Sequence, residues 1–231
     1  PDEPVPAGVD YDMWLGPAPK RPFNRNRFHF NFRWFWDYAG GLMTDWGVHL
    51  INIALWAMGP EWPKSVVSSG GKYVLQDNTE TPDTQIAVYD FPSYTLIWEH
   101  SVQCGLGPDR REHAVVFTGA DATLIVDNNG WEVVAEPKKR EKVVEMRRRA
   151  AAGDNARVAH ARNFLDCIRS RRQPVENLDI GFHVSAVAML GNIALRSKSR
   201  VEWDAVTEQV TGNPAASALL RGEYRAPWKL V

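Results

Sequence analysis

Residues 40–52 read GGLMTDWGVHLIN and carry the most informative pattern in this chain of 231 residues. Asp45 and His49 are four residues apart, a spacing that places two side chains on the same face of a helix. A histidine next to a carboxylate suits general acid–base catalysis, and glycine allows a backbone to approach a ligand closely. We therefore predict that Asp45 and His49 are catalytic and that Gly40 and Gly41 contact a ligand or cofactor.

The same stretch predicts a helix over residues 44–58. Thr44 is a favourable N-cap residue, and the Gly-Pro pair at 59–60 is a common end of a helix. Asn52 and Trp56 continue the face of Asp45 and His49, whereas most of the remaining helix surface is apolar. Buried polar groups need partners or a cavity, so this face predicts either a functional pocket or a satisfied core histidine.

Upstream, residues 27–36 alternate with a period of two, which predicts a half-buried strand. Its aromatic face is expected in the core, and its polar face either lines the site or is solvated. The aromatic face consists of Phe28, Phe30, Phe32, Trp34 and Trp36, and the polar face of Arg27, His29, Asn31 and Arg33. We expect substrate contacts from Asn31, Arg33, Trp36, Asp37 and Tyr38.

Downstream, residues 65–134 contain short β-rich runs separated by turn residues, which predicts an antiparallel sheet. Helical apolar spacing follows, so the fold class is α+β: a predominantly antiparallel open sheet with helices packed on one face. The predicted strands are 85–91, 94–102, 114–118, 123–126 and 203–206, and the later helices are 156–172 and 180–195.

Composition narrows the classes of partner. Twenty-seven basic and 28 acidic residues give a net charge of −1, which provides no basic footprint for nucleic acid and fits a small neutral ligand. Acidic residues interrupt the basic runs at 138–142 and 147–149, which we interpret as solvated. No segment has the roughly 18 uninterrupted apolar residues of a membrane span. Two cysteines outside any Cys-x-x-Cys pair make a disulfide framework or zinc site improbable.

The first residues are polar and rich in proline, so we predict an interdomain linker at 1–12 and a substrate-binding and oligomerisation domain at 13–231. No Gly-x-Gly-x-x-Gly lies between a strand and a helix, so nucleotide chemistry requires another domain. The cellular compartment remains open.

The pattern Gly-Gly-x-x-x-Asp-x-Gly-x-His at residues 40–49 resembles the Gfo/Idh/MocA oxidoreductases, the family of glucose–fructose oxidoreductase and inositol dehydrogenase. Residues 37–41, 163–167 and 191–195 also look like the bacterial C-terminal domain of this family, and the resemblance covers nearly the whole chain from Tyr11. It implies an N-terminal Rossmann domain, missing from this chain, that binds NAD or NADP. It also implies dimers or tetramers through the open sheet face.

Within this resemblance, His49 matches the acid/base of the family and Asp45 the aspartate that contacts substrate. The lysine of the family's Lys-Pro motif has no match here, so the chain alone should be inactive. Asn52 departs from the frequent aspartate, which puts a charged role there in doubt. The family also includes glycosidases that oxidise their substrate transiently.

Three hypotheses follow. The leading one is the catalytic half of an NAD(P)-dependent oxidoreductase acting on a sugar, polyol or derivative, without a bound metal. The second uses Asp45, His49 and another histidine as metal ligands in an isomerase or hydrolase. The third is a non-catalytic sugar-binding or assembly module.

Overall fold

The structure is a computed structural model that describes residues 1–107, 110–149 and 156–229. Its contacts divide the chain into two compact units, Pro1–Gln103 with His183–Val231 and Cys104–Phe182. Each unit contains one antiparallel sheet, and helices accompany the sheets, as expected of an α+β fold. The β-rich region at 65–134 thus contributes to two sheets instead of the single sheet that was predicted.

The first unit contains a five-stranded sheet. Its strands β2 and β3 alternate between buried and exposed side chains, the pattern of a sheet with one face on a core. The strands predicted at 85–91 and 94–102 are confirmed with shifts of one residue, and the last predicted strand starts earlier, at Val201. In spatial order the strands are β3 (Thr95–Ser101), β2 (Thr84–Asp90), β1 (Ser65–Gly71), β8 (Val201–Asp204) and β9 (Gln209–Thr211).

The buried face of this sheet packs against α5, Leu178–Ser197. Tyr89 in β2 is fully buried, and its hydroxyl lies so close to Gly191 that a Cβ there would be 2.3 Å away. The remaining helices of the unit are short or flank the candidate site. They are α1 (Tyr11–Leu15), α2 (Leu42–Asp45), α3 (Gly47–Met58) and α6 (Pro214–Ser217).

By length and composition alone, α5 could cross a membrane, since it has 20 residues and an 18-residue window of mean hydropathy 1.5. The same properties are typical of a helix in a protein core. Its buried residues include Val187, Ala188 and Leu190, and Gln85 of β2 donates to its Gly191 carbonyl at 3.4 Å. The absence of a membrane partner stays a prediction.

The strand predicted at 27–36 is wrong. Two 3₁₀ helices, Arg25–Arg27 and His29–Trp34, replace it. The backbone bonds locally instead of to a neighbouring strand: the Asn24 side chain caps the first turn, and a positive φ of 46° at His29 separates the two turns. Side chains therefore do not alternate between two faces, and Phe30 is 67% exposed.

The predicted N-cap at Thr44 is also wrong. Gly41, with φ of 64°, precedes α2, and Thr44 lies inside this helix. Trp46 interrupts the helix, so Asp45 ends α2 and His49 belongs to α3. The predicted end is confirmed, because α3 stops at Met58 and Gly59 adopts a φ of 100°.

The second unit contains a four-stranded sheet and α4, Ala156–Ser170. The strands predicted at 114–118 and 123–126 and the helix at 156–172 are confirmed with small shifts. Arg111 pairs with Asp127 and Glu132 beside the sheet. The basic run at 147–149 forms an exposed strand, as a solvated interpretation requires. In spatial order the strands are β4 (Val115–Thr118), β5 (Ala122–Asp127), β6 (Gly130–Ala135) and β7 (Met146–Arg149).

The N-terminal residues pack onto the first unit. Glu3 donates its amide to the Phe23 carbonyl at 3.0 Å, and Asp2 pairs at 2.9 Å with Arg27, which is buried. The predicted boundary between a linker at 1–12 and a domain at 13–231 stays a prediction.

Candidate functional site

The two motif glycines are held by contacts within the protein. Gly40 donates its amide to Thr44 Oγ1 at 3.0 Å, and a Cβ on it would lie 2.5 Å from Asn192 Nδ2. A Cβ on Gly41 would lie 2.6 Å from the side chain of Thr81, and its φ of 64° also favours glycine. Packing therefore accounts for both glycines, and their contact with a ligand or cofactor stays a prediction.

Arg33 and Asp45 form an ion pair at the start of the motif. Arg33 Nη1 donates to Asp45 Oδ2 at 3.3 Å, and the two side chains are 22% and 27% exposed. The guanidinium of Arg33 lies 3.9 Å from the centre of the Phe30 ring, a cation–π contact. Arg33 therefore lies next to the motif, as predicted, although it belongs to a 3₁₀ helix and not to a strand.

His49 is exposed and lies on the outer face of α3. Its amide donates to the Trp46 carbonyl at 3.0 Å, a three-residue turn that keeps the chain nearly helical across the interruption after Asp45. Trp46 and Trp56, at helical spacing from His49, are 40% and 84% exposed. Asp45 and His49 are therefore on successive turns, with His49 accessible to a ligand.

Trp36 and Asp37 contact other groups of the protein, and Tyr38 is half-buried. Trp36 donates its amide to Glu80 Oε2 at 3.0 Å, and the guanidinium of Arg196 lies 4.9 Å from its ring centre. Asp37 pairs with Arg21 at 2.9 Å. Burial raises the pKa of Tyr38 to about 12.

Asn31 lines a pocket of about 230 Å³ together with Trp34 and Thr81. Thr81 is the residue that packs against Gly41. Of the five predicted substrate contacts, Arg33 is the one that pairs directly with Asp45 among the described residues. Their roles in substrate binding stay predictions.

Two residues that the sequence analysis missed support this region. Asn192 Nδ2 donates to the Gly40 carbonyl at 2.8 Å, and fully buried Gln85 donates to Asn192 Oδ1 at 3.5 Å. A polar amide in the middle of an apolar helix was the signal that could have identified Asn192, because a buried amide must find partners.

Glu80 was also missed. Its carboxylate accepts hydrogen bonds from Arg21 and from the Trp36 amide. Burial opposes the charge of Arg21, but the hydrogen bonds to Glu80 and Asp37 raise its pKa. No sequence signal links Glu80 to a segment more than forty residues earlier.

A family model matches residues 1–86 and 120–230 of this chain, and its description is "Oxidoreductase family, C-terminal alpha/beta domain". The chain belongs to this family. It is the Gfo/Idh/MocA family that the motif resembles, and the match lies in its C-terminal domain. In a search of curated proteins, none matched the chain.

Solved structures with the same fold include dehydrogenases. A levoglucosan dehydrogenase in complex with NADH and levoglucosan is 12% identical, with a TM-score of 0.61 over 77% of this chain and 55% of its own. An NAD binding oxidoreductase from Klebsiella pneumoniae is 15% identical, with a TM-score of 0.57 over 71% and 51%. An Agrobacterium radiobacter oxidoreductase with NAD+, L-tartaric acid and magnesium is 15% identical, with a TM-score of 0.54 over 71% and 49%.

The chain thus spans about half the length of these Gfo/Idh/MocA structures. The sequence contains no dinucleotide-binding Gly-x-Gly-x-x-Gly pattern. Within residues 1–107, 110–149 and 156–229, no three His, Cys, Asp or Glu side chains form a cluster suited to a metal. The metal hypothesis therefore lacks a third ligand in that part of the chain.

Proposed function

We propose that this chain is the substrate-binding half of an NAD(P)-dependent oxidoreductase that acts on a sugar, polyol or derivative. The observation that carries the proposal is that His49 is accessible and follows Asp45 by one helical turn. The carboxylate of Asp45 is held by Arg33. Membership of the Gfo/Idh/MocA family supports a redox reaction over the metal-dependent and non-catalytic alternatives.

In this reaction His49 is the acid/base. When a substrate alcohol is oxidised to a carbonyl, its hydroxyl proton moves to a ring nitrogen of His49. A nicotinamide bound by a dinucleotide-binding domain would supply the acceptor for the carbon-bound hydrogen and its electron pair. Arg33 orients the Asp45 carboxylate, which accepts a hydrogen bond from a substrate hydroxyl and holds the reacting carbon in place. The reverse direction uses the same groups.

The outer face of α3 supports such an arrangement. Exposed Trp46 and Trp56 flank His49, and large apolar side chains exposed together are typical of interaction surfaces. We assign this face to contact with the dinucleotide-binding domain, which would cover the substrate from the side that the present chain leaves open.

The partners follow the same proposal: a small sugar or polyol, with neither nucleic acid nor membrane, and further copies of this chain. The open face of the five-stranded sheet exposes Val67, Ile86 and Ile97 at 41%, 44% and 65%. These side chains support assembly into a dimer or tetramer through this face. Sedimentation velocity would give the number of subunits, and a monomer at micromolar concentration would contradict the assembly.

His49→Ala, made in protein supplied with the dinucleotide-binding domain, should lower turnover by about 10²- to 10⁴-fold, since that is the usual contribution of general acid–base catalysis. Far-ultraviolet circular dichroism should be unchanged, because the side chain is exposed. His160→Ala in α4 is the matched control, since it removes another exposed histidine. Near-normal turnover of His49→Ala would contradict the proposal.

A further inference from the structure

The connection between β1 and β2 binds the segment that leads into the Gly-Gly motif. The amides of Glu80 and Thr81 both donate to the Trp34 carbonyl, at 2.9 and 3.2 Å. These bonds fix the end of the second 3₁₀ helix, which also carries Arg33. The β1–β2 connection is thus a fixed support for this turn.

The side chain of Glu80 adds a second point of attachment. Oε2 accepts from the Trp36 amide at 3.0 Å, and Oε1 accepts from Arg21 at 2.8 Å. Arg21 also donates to Asp37 at 2.9 Å, so one carboxylate holds the segment at Trp36 directly and at Asp37 through the guanidinium. The Glu80 side chain is 29% exposed, and partly buried charge-assisted bonds are stronger than those between neutral groups.

The same connection reaches the motif itself. Thr81 packs so closely against Gly41 that it leaves no room for a side chain at position 41. Gly41 donates its amide to the Arg33 carbonyl at 2.9 Å, and the Arg33 side chain holds Asp45. A displacement of the segment at Trp36 would therefore change the position of Arg33 and, through it, the carboxylate of Asp45.

We infer that Glu80 is a positioning residue for the candidate site: it fixes the turn that carries Arg33, and Arg33 orients Asp45. This inference rests on the proposed function of Asp45 and His49. Glu80 takes no part in the chemistry, and its effect on a substrate passes through Arg33.

Amide hydrogen exchange of the full 231-residue chain tests the structural step without any activity. Glu80→Ala removes both acceptors, so the Gly41 amide, which has a different acceptor, should exchange at least about tenfold faster if the turn loosens. Glu80→Gln preserves the size and one acceptor oxygen, and should have an intermediate effect. Glu3→Ala is the matched control, because it also removes a carboxylate that pairs with an arginine. Its partner Arg25, at 3.2 Å, is 79% exposed.

Two exchange results would overturn the inference. One is an unchanged Gly41 rate in Glu80→Ala. The other is an equal acceleration at Gly41 and throughout β2, because that would reflect global unfolding in place of a local release. If Glu80→Ala does not fold, the same comparison is made with Glu80→Gln, which preserves one of the two bonds.

Kinetics of the protein supplied with its dinucleotide-binding domain test the functional step. Glu80→Ala should lower kcat about 10- to 100-fold, because small displacements of an oriented group cost rates of this order. The KM for the nicotinamide cofactor should be unchanged, and Glu80→Gln should recover part of kcat. A parallel loss in cofactor KM would indicate general damage and would overturn the inference.

The two proposals can fail separately. Full turnover in His49→Ala would remove the proposed function, while exchange at Gly41 would still decide whether Glu80 holds the turn. Loss of turnover in His49→Ala, with normal kcat in Glu80→Ala, would overturn the positioning role alone.

Discussion

The two sheets of this protein differ in how their side chains are buried. In the five-stranded sheet, β2 and β3 alternate strictly, and Tyr89 is completely buried beneath α5. In the four-stranded sheet, the buried apolar residues of the described strands are Ile125 and Ala135, and all four residues of β7 are exposed. Packing therefore stabilises the first sheet, whereas the second depends on strand pairing and on ion pairs such as those of Arg111.

A substitution at the contact between α5 and β2 should cause the largest loss in the free energy of unfolding. Gly191→Ala places a Cβ 2.3 Å from Tyr89 Oη and 2.6 Å from Met43 Cε in a packed core. We expect a loss of about 1 to 3 kcal/mol in the free energy of unfolding, the usual cost of overpacking, measured by urea denaturation.

Gly181→Ala in the same helix is the matched control, because nothing lies within 4 Å of the new Cβ. Its effect should be neutral or stabilising, as alanine favours helix over glycine. A loss in Gly191→Ala no greater than in the control would show that α5 does not pack tightly on β2, and the contrast between the two sheets would disappear.

The second-largest effect should be the pH dependence of the free energy of unfolding that Asp83, next to the five-stranded sheet, produces. Asp83, 2% exposed, precedes β2, and burial alone would raise its pKa. Hydrogen bonds from the amides of Leu75, Val74 and Tyr73 outweigh burial and lower the pKa to about 2. The lowered value means that ionised Asp83 stabilises the folded state above pH about 4, and that this contribution is lost between about pH 4 and pH 2.

The contribution should be about 1 to 2 kcal/mol, from the size of the shift. Urea denaturation of the protein and of Asp83→Asn across this range would measure it. The difference in stability between them should shrink as the pH falls. A constant difference would mean that these hydrogen bonds do not lower the pKa of Asp83 in the folded state.

The smallest effect is expected in the four-stranded sheet. Val116→Ala in β4 affects a side chain that is 43% exposed, so the free energy of unfolding should change by less than about 0.5 kcal/mol. The same substitution at Val66 in β1, 1% exposed, should cost several times more. Equal losses at the two valines would reveal a second packed core and contradict the comparison.

The sequence predicted β2, β3, β4 and β5, and β8 with a shift, because each is short, bounded by turn residues and rich in residues that favour strands. It did not predict β7 or β9, and it placed β1 and β6 in a β-rich region without giving their bounds. It could not predict which strand belongs to which sheet. Each hairpin joins strands that are neighbours in sequence, whereas the division into two sheets depends on contacts between distant parts of the chain. The pairing of β1 with β8 joins Val66 to Val201, and nothing in either strand specifies the other.

The aromatic segment shows why a correct pattern can mislead. Residues 27–36 do alternate, but Asn24 caps a turn, and Glu80 and Thr81 bind the Trp34 carbonyl. These bonds satisfy the backbone without a neighbouring strand. Local pattern therefore identified a region near the site and assigned it the wrong conformation.

Within the candidate site, spacing predicted Asp45 and His49, whose catalytic roles stay predictions, and Arg33 was predicted from the polar face of a strand that does not form. Glu80 and Asn192 could not be found in this way, because their contacts with the motif span long separations. The helix interruption at Trp46 was equally hidden, since Leu42–Met58 reads as one continuous helical pattern.

The hydrogen bond from Asn192 to the Gly40 carbonyl joins residues 152 positions apart. Such a distant contact closes late in folding, because the entropy of a long loop must be overcome before it forms. Because the Gly-Gly turn precedes α5 in the chain, the Gly40 carbonyl lacks this partner until α5 is in place. The Gly-Gly turn of the candidate site is thus completed only when the sheet acquires its covering helix.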